Sequence, residues 1–207
     1  PACPPWRKAC GRAFRVCRAQ QRCAQNGLQG QPVPIDPARD FLPIGIAVLT
    51  ISDSRTKETD GSGGYLCNAL QDLGHRLADY QIVADDVAAI QAQVTAWVAD
   101  PEVACILTTG GTGVTGRDVT PEALAALSGR EIPGFGELFR WISFDKIGTS
   151  TIQSRAIGYV MGETYVFALP GSTGACRDGW ENILIHQLDS RFRPCNFIEL
   201  MGRLGER

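Results

Sequence analysis

The residues best equipped for chemistry lie between positions 106 and 123, in the run Ile-Leu-Thr-Thr-Gly-Gly-Thr-Gly-Val-Thr-Gly-Arg-Asp-Val-Thr-Pro-Glu-Ala. Glycines permit positive φ angles and leave the backbone open to a ligand, so residues 109–113, the glycine loop, are suited to wrap an anion. Arg117 and Asp118 then add a guanidinium and a carboxylate. A nucleotide phosphate with a metal ion needs these groups together. A tight turn without a ligand is the alternative, and the Arg-Asp-Val-Thr-Pro-Glu that follows favours a site.

Three aspartates in loops after predicted strands, Asp60, Asp85 and Asp118, predict a cation site. Mg²⁺ is commonly held by one or two carboxylates together with substrate phosphate oxygens, which is chemistry for phosphoryl or nucleotidyl transfer. Each acid also has an ordinary structural alternative. Asp85 stands at a helix start and Asp60 in a glycine-rich turn, and both are places where an acid is favourable.

Other catalytic patterns do not fit the sequence. No Gly-Lys-Ser/Thr follows the glycine loop, which excludes a Walker A motif, and the glycine spacing of the dinucleotide fingerprint is absent. The two histidines, His75 and His186, follow a helix stop and lie inside a predicted helix. We therefore expect packing or surface roles for both histidines.

The elements that position these residues alternate between strand and helix. Continuous apolar strands are typical of a sheet covered on both faces, and the alternation predicts an α/β fold with a mostly parallel sheet between helices. Ligands bind at the carboxyl ends of the strands in such sheets, so the loops are expected to converge on one edge. Thr120, Pro121 and Glu122 predict a helix start with a hydroxyl N-cap. The predicted strands are 44–51, 82–83, 103–107 and 165–169, and the predicted helices cover 66–73, 87–98, 121–127, 135–144 and 175–188.

Charge divides the chain into two parts. Residues 1–35 contain no acid and six basic residues, whereas the net charge of the whole chain is -2. We expect residues 1–39 to be a disordered, arginine-rich extension with a proline-containing linker, and residues 40–207 to be one folded domain. Nothing in the overall charge favours nucleic acid as a partner, and no apolar run is long enough to cross a bilayer.

The cysteines bear on the compartment. Four of the eight, Cys67, Cys105, Cys176 and Cys195, lie within or beside apolar stretches of the folded part. Buried free thiols are therefore expected rather than disulfides, which is typical of a reducing compartment such as the cytoplasm.

Five motifs, in this order, resemble the molybdopterin-binding family, and the match covers residues 40–204. They are Ser-Asp-Ser-Arg at 52–55, Asp-Gly-Ser-Gly at 60–63, Thr-Gly-Gly-Thr-Gly at 109–113, Gly-Arg-Asp-Val-Thr-Pro-Glu at 116–122 and Leu-Pro-Gly-Ser at 169–172. Further runs resemble the branch of the molybdenum cofactor biosynthesis proteins B: Phe-Gly-Glu at 135–137, Ile-Gly-Thr-Ser-Thr at 147–151, Gln-Ser-Arg-Ala at 153–156, Gly-Ala-Cys-Arg at 174–177 and Trp-Glu-Asn at 180–182.

The resemblance implies a fold, a reaction and an assembly. The fold implied is a three-layer α/β/α sandwich, and the reaction implied is transfer of adenylate from magnesium ATP to molybdopterin. Homotrimers or hexamers are implied as well, and Phe135, Phe139, Trp141 and Phe144 are expected to supply apolar surface between subunits. Other molybdenum cofactor biosynthesis proteins are the expected partners.

The resemblance also implies roles for residues matched by position. Asp118 and Asp85 are the catalytic acids, and Asp60 and Asp85 hold the metal. The intact segment 117–122 favours an active enzyme, and a pterin-binding carrier or scaffold without turnover is the alternative. The implied substrate-binding residues are Ser62, Gly63, Thr109, Gly110, Gly111, Thr112, Gly113, Ser154, Pro170, Gly171 and Ser172.

Overall fold

The structure, a computed structural model, describes residues 35–206. The extension expected at residues 1–34 lies outside them. Ile35 forms an isolated antiparallel bridge with Phe192, and the Asp36 N–H donates to the Arg191 carbonyl at 2.9 Å. Arg39 forms an ion pair with Glu199. Residues 35–39, which the sequence assigned to the linker, are therefore bonded into the folded unit.

Six strands form one sheet in the order β2-β1-β3-β6-β5-β4. The first four in this order are mutually parallel, and β5 and β4 are antiparallel additions, so the predicted mostly parallel sheet is confirmed. The strands are β1 Gly45–Ile51, β2 Arg76–Val83, β3 Cys105–Thr109, β4 Arg130–Glu131, β5 Ile157–Met161 and β6 Thr164–Leu169.

Helices cover both faces of the sheet. One apolar core packs α1, α4 and the C-terminal helices against residues such as Val48, Leu107 and Phe167. The other core packs α2 and α3 against residues such as Leu49 and Ile106, which point to the opposite face. The three-layer α/β/α sandwich is confirmed. The helices are α1 Gly61–Leu73, α2 Val87–Val98, α3 Thr120–Ala125, α4 Pro133–Ile147, α5 Thr173–Gly179, α6 Ile185–Gln187 and α7 Phe197–Leu200, with a π-helical turn at Trp180–Leu184 and 3₁₀ turns at Gly148–Gln153 and Met201–Arg203.

Local signals explain several element ends. Gly74 adopts φ 108° and closes α1, as its position after Leu73 predicted. The Asp86 carboxylate caps α2 by accepting from the Ala89 N–H at 2.8 Å. Strand β5 was not predicted, because its role is set by antiparallel pairing with β6 across a tight turn at Gly162, where φ is 60°.

Two expectations about burial need correction. Phe135 and Phe139, expected between subunits, are 3% and 2% exposed and pack in the core under α4. Cys67, Cys105 and Cys176 are buried free thiols as predicted, but Cys195 is exposed. In residues 35–206, no helix is long and apolar enough to cross a membrane.

His75 makes the stability of the folded unit depend on pH. Its Nδ1 accepts the Ile44 N–H at 3.3 Å, and burial lowers the pKa of His75 although the Leu188 carbonyl and the Asp189 carboxylate oppose the shift. The unfolded chain takes up this proton below about pH 6.5 and the folded chain only at lower pH, so stability is lost as pH falls through that window.

We expect His75→Asn to reduce the slope of unfolding free energy against pH between about pH 5 and 7. The asparagine oxygen can still accept from Ile44, which limits the structural cost. Burial also lowers the pKa of His186, so some slope remains. Urea unfolding at a series of pH values measures this slope, and an unchanged slope in the variant would contradict the assignment.

Candidate functional site

A cleft of about 1140 Å³ opens at the carboxyl edge of β1, β3 and β6. Its position agrees with the general rule for open parallel sheets, because the strand order reverses between β1 and β3. Twelve of the predicted site residues line it, and Asp60 and Gly63 do not. The twelve are Ser62, Asp85, Thr109, Gly110, Gly111, Thr112, Gly113, Asp118, Ser154, Pro170, Gly171 and Ser172.

Two of the three glycines in the glycine loop adopt the positive φ angles that glycine permits. Gly110 has φ 110° and Gly111 has φ 61°. A Cβ on Gly110 would overlap the carbonyl oxygen of Ile51, and a Cβ on Gly111 would overlap the hydroxyl of Thr120. Both conformation and space therefore require glycine at these two positions.

Thr120 fastens the glycine loop to α3. Its hydroxyl donates to the Gly110 carbonyl at 2.9 Å, and its N–H donates to the Gly111 carbonyl at 3.0 Å. The predicted N-cap role of Thr120 is wrong, since Val119 occupies the cap without a side-chain bond. The hydroxyl is instead spent on a tertiary contact that sequence spacing does not reveal.

Arg155 joins the glycine loop to the segment that carries Asp118. Its Nε donates to the Gly113 carbonyl at 2.6 Å, its Nη2 donates to the Asp118 carbonyl, and its Nη1 is paired with Glu122. Its own N–H donates to the Thr112 carbonyl at 3.0 Å. Arg155 belongs to the Gln-Ser-Arg-Ala run at 153–156, but no role for it was predicted from the sequence.

Asp118 is held ionised at the rim of the cleft. Its Oδ2 accepts from the Thr115 hydroxyl at 2.6 Å and from the Thr115 N–H at 2.9 Å. The Thr115 hydroxyl, together with the N–H groups of Thr115 and Gly113 and the charge of Arg155, lowers the pKa of Asp118 against the effect of burial. An ionised carboxylate suits charge balance or cation binding rather than proton donation.

Asp85 has the opposite electrostatic character. Burial raises the pKa of Asp85, and the charges of Asp53 and Asp118 add to the shift while Arg117 opposes it. Arg117 is paired with Asp53, whose Oδ1 accepts the Asp85 N–H at 3.1 Å. The raised pKa means that a cation placed beside Asp85 would relieve a like-charge cost.

Asp60 lies beneath the cleft instead of in it. The residue is 4% exposed, and both carboxylate oxygens accept hydrogen bonds. Burial raises its pKa, but the hydrogen bonds outweigh burial and hold the pKa far below its ordinary range. This saturation favours a structural role over the predicted metal role. The donors are the hydroxyls of Thr50, Ser62 and Tyr80, the Arg55 guanidinium and the N–H groups of Ser62 and Gly63.

Gly63 belongs to the same buried group. A Cβ there would overlap the Asp60 carboxylate and the Thr50 hydroxyl, so the glycine serves close packing rather than ligand contact. Among residues 35–206, no group of three or more His, Cys, Asp or Glu side chains is arranged to hold a metal. Of the two acids predicted to hold a metal, Asp85 lines the cleft and Asp60 does not.

The loop after β6, residues 170–174, also lines the cleft. Thr109 donates to the Pro170 carbonyl at 3.1 Å, which ties this loop to the end of β3. Ser172 caps α5 by accepting from the Ala175 N–H at 3.2 Å. Ser143 and Lys146 of α4 and Arg177 of α5 also line the cleft, and sequence reasoning missed them because helices bring them in from outside the strand-end loops.

A family model described as a probable molybdopterin binding domain matches residues 47–190. The chain belongs to the molybdopterin-binding family. The molybdenum cofactor biosynthesis protein B of Escherichia coli (strain K12) is 54% identical over 158 residues, which make up 76% of this chain and 93% of that protein. The protein of the same name from Bacillus cereus is 49% identical over 142 residues, 68% of this chain and 84% of that one.

Solved structures of the molybdopterin-binding family have the same fold. A crystal structure of a molybdenum cofactor biosynthesis protein B has a TM-score of 0.73 at 40% identity, covering 82% of this chain and all of the other. The tungsten cofactor synthesizing protein MoaB from Pyrococcus furiosus has a TM-score of 0.62 at 29% identity, covering 79% of this chain and 98% of the other.

Two glycines of this molybdopterin-binding domain, Gly111 in the glycine loop and Gly116 beyond it, offer a matched pair of substitutions. Gly111→Ala would place a methyl group against the Thr120 hydroxyl, at a residue whose φ is positive. We therefore expect about 1–3 kcal/mol of destabilisation and a loss of ligand affinity. Gly116→Ala is the control, since nothing lies within 4 Å of its added methyl. Thermal unfolding and molybdopterin titration measure both variants, and equal behaviour would contradict the strained role of Gly111.

Proposed function

We propose that this protein acts in molybdenum cofactor biosynthesis by binding molybdopterin and magnesium ATP in the cleft and transferring adenylate to the pterin. The observation that carries the proposal is the bonded unit of the glycine loop and the Asp118 segment, joined by Arg155 and Thr120. Molybdopterin is proposed as the ligand because the chain belongs to the molybdopterin-binding family. The expected partners are other proteins of molybdenum cofactor biosynthesis in the cytoplasm.

The proposed reaction is a displacement at the α-phosphorus of ATP. An oxygen of the pterin's terminal phosphate attacks the α-phosphorus of ATP, a new P–O–P linkage forms, and the bond to the β-phosphate breaks to release pyrophosphate. Such transfers depend mainly on positioning and on electrostatic stabilisation. Backbone N–H groups of the glycine loop beyond Gly110 would position phosphate oxygens. Arg117 and Lys146 also line the cleft, where they are paired with Asp53 and Asp178.

Asp85 is the carboxylate best suited to the cation. It lines the cleft and its pKa is raised partly by its acidic neighbours, so a divalent ion shared with phosphate oxygens lowers the cost of its charge. Asp85 would hold the Mg²⁺, and the ion would supply neutralisation of the charge that develops on the phosphates. Asp118, which is ionised and held by Thr115, is the second carboxylate proposed to organise the charge of the metal-bound phosphates.

A pterin-binding carrier without turnover is the second candidate. It is favoured by the saturation of Asp60, because that carboxylate is fully engaged by protein donors beneath the cleft. Incubating the protein with Mg²⁺, ATP and molybdopterin separates the two functions. Pyrophosphate released only when pterin is present supports the transferase, and pterin binding without release supports the carrier.

Asp118→Asn tests the catalytic assignment. The substitution keeps the shape and one acceptor for Thr115 but removes the charge, so we expect turnover to fall roughly 10²-fold or more, on the order of 3 kcal/mol of transition-state stabilisation. Molybdopterin binding should persist. Asp145→Asn is the matched control, because Asp145 is exposed on α4 and does not line the cleft. Wild-type pyrophosphate release by Asp118→Asn would end the assignment.

We also propose that the protein assembles as a homotrimer or hexamer through the outer face of α4. Apolar side chains there are exposed, among them Trp141 at 60% and Ile152 of the following 3₁₀ turn at 80%. Large exposed apolar patches mark interaction surfaces. The remaining members of this surface are Leu138 and Phe144.

Trp141→Glu should shift the protein toward monomer, because a charge cannot be buried cheaply in an apolar interface. Light scattering at micromolar protein gives the mass. Leu42→Glu is the control, since Leu42 is comparably exposed but belongs to the segment before β1. A monomer mass for the unaltered protein, or an unchanged oligomer in Trp141→Glu, would refute this interface.

A further inference from the structure

Arg55 occupies an unusual place at the base of the cleft. It lies in the loop between β1 and α1, yet its Nη2 donates to the Gly171 carbonyl of the loop after β6 at 3.1 Å. Its Nη1 donates to the Asp60 carboxylate at 2.9 Å and to the Ser62 hydroxyl at 2.8 Å. Since Ser62 and Gly171 both line the cleft, the guanidinium lies in the cleft wall between them.

The hydrogen-bond count of this guanidinium is incomplete. Arginine has five N–H donors in a planar fork. Two on Nη1 and one on Nη2 are used, which leaves the Nε–H and one Nη2–H without an acceptor among residues 35–206. The Arg55 side chain is 34% exposed and lines the cleft, so its guanidinium is accessible to a ligand there.

The group behind Arg55 holds it in place. Asp60 is buried, is kept ionised by its other donors and has a side chain with no exposure, so it cannot swing into the cleft. Its carboxylate therefore fixes the plane of the guanidinium and stays there when a ligand binds. An oriented guanidinium with two free N–H groups matches the oxygens of a phosphate, a geometry that lysine cannot reproduce.

We infer that Arg55 is an anion-recognition residue of this cleft, in which Asp60 and Ser62 orient the guanidinium and its two remaining N–H groups bind one phosphate group of a substrate. The inference rests on the proposed function for its ligand, because that phosphate belongs either to the pterin or to the nucleotide. Asp60 thereby acquires a positioning role in place of the metal role expected from sequence.

Isothermal titration of Arg55→Lys tests the inference with three probes: inorganic phosphate, ATP and molybdopterin. We expect roughly 10-fold to 100-fold weaker binding of inorganic phosphate, because the lysine keeps the charge and loses the fork. If ATP also binds more weakly and molybdopterin does not, the phosphate bound by Arg55 is that of the nucleotide. If molybdopterin also binds more weakly and ATP does not, it is that of the pterin. Arg76→Lys is the control, since Arg76 is an exposed arginine paired with Glu102 at the start of β2.

Unchanged affinity for both ATP and molybdopterin in a folded Arg55→Lys variant would overturn the inference, whatever the effect on inorganic phosphate. If the variant does not fold, phenylglyoxal modification of the unaltered protein replaces it, read out by peptide mass spectrometry. Phosphate should then slow the modification of Arg55 and leave that of Arg76 unchanged, and a lack of protection would overturn the inference. Neither experiment measures pyrophosphate, so a failure of adenylate transfer and a failure of this assignment remain distinguishable.

Discussion

The cleft depends on a close backbone crossing at Gly110. The Gly110 N–H donates to the Leu169 carbonyl at the end of β6, and its carbonyl accepts from the Thr120 hydroxyl. A side chain on Gly110 would overlap the Ile51 carbonyl at the end of β1. Three neighbouring parallel strands end together at this point, so the loop that leaves β3 has room only for backbone. Gly110 and Gly111 both line the cleft at this point.

Fixed polar groups then build outward from this crossing. Arg155 closes the glycine loop against the Asp118 segment, and Arg55 ties the β1–α1 loop to the loop after β6. Both arginines donate to backbone carbonyls from other loops, which positions those loops relative to one another rather than within themselves. Charge-assisted hydrogen bonds of this kind are shorter and stronger than neutral ones, so the walls of the cleft are organised before a ligand arrives.

The acids of the site are separated by environment. Asp118 and Asp60 are held ionised by hydroxyl and N–H donors, whereas the pKa of Asp85 is raised by burial and by its acidic neighbours. Of these, Asp60 is enclosed and serves the scaffold, while Asp85 and Asp118 face the cleft. Helix α4 connects the cleft to the rest of the molecule, because Lys146 lines the cleft, Phe139 packs in the core and Trp141 faces outward.

The sequence by itself determined the parallel part of the sheet, the loops at its carboxyl edge and twelve of the residues that line the cleft. Continuous apolar strands predicted a sheet covered on both faces, and the glycines after β3 permitted the positive φ that Gly110 and Gly111 adopt, so the cleft edge and the glycine loop could be predicted from residue types. Gly74 and Asp86 likewise specified helix ends, since capping is a local interaction.

Only the tertiary structure decided how the polar side chains are used. Thr120 lies where a helix cap is expected, but its hydroxyl donates to the Gly110 carbonyl. Asp60 was predicted as a metal ligand, but its carboxylate accepts hydrogen bonds from donors that include Tyr80, which is distant in sequence. Arg55 and Arg155 act through carbonyls of other loops, and no periodicity encodes such partners. The physical reason is that capping and strand patterns are fixed over a few neighbouring residues, whereas the partner of a buried charge is whichever group the packed layers bring within hydrogen-bond distance.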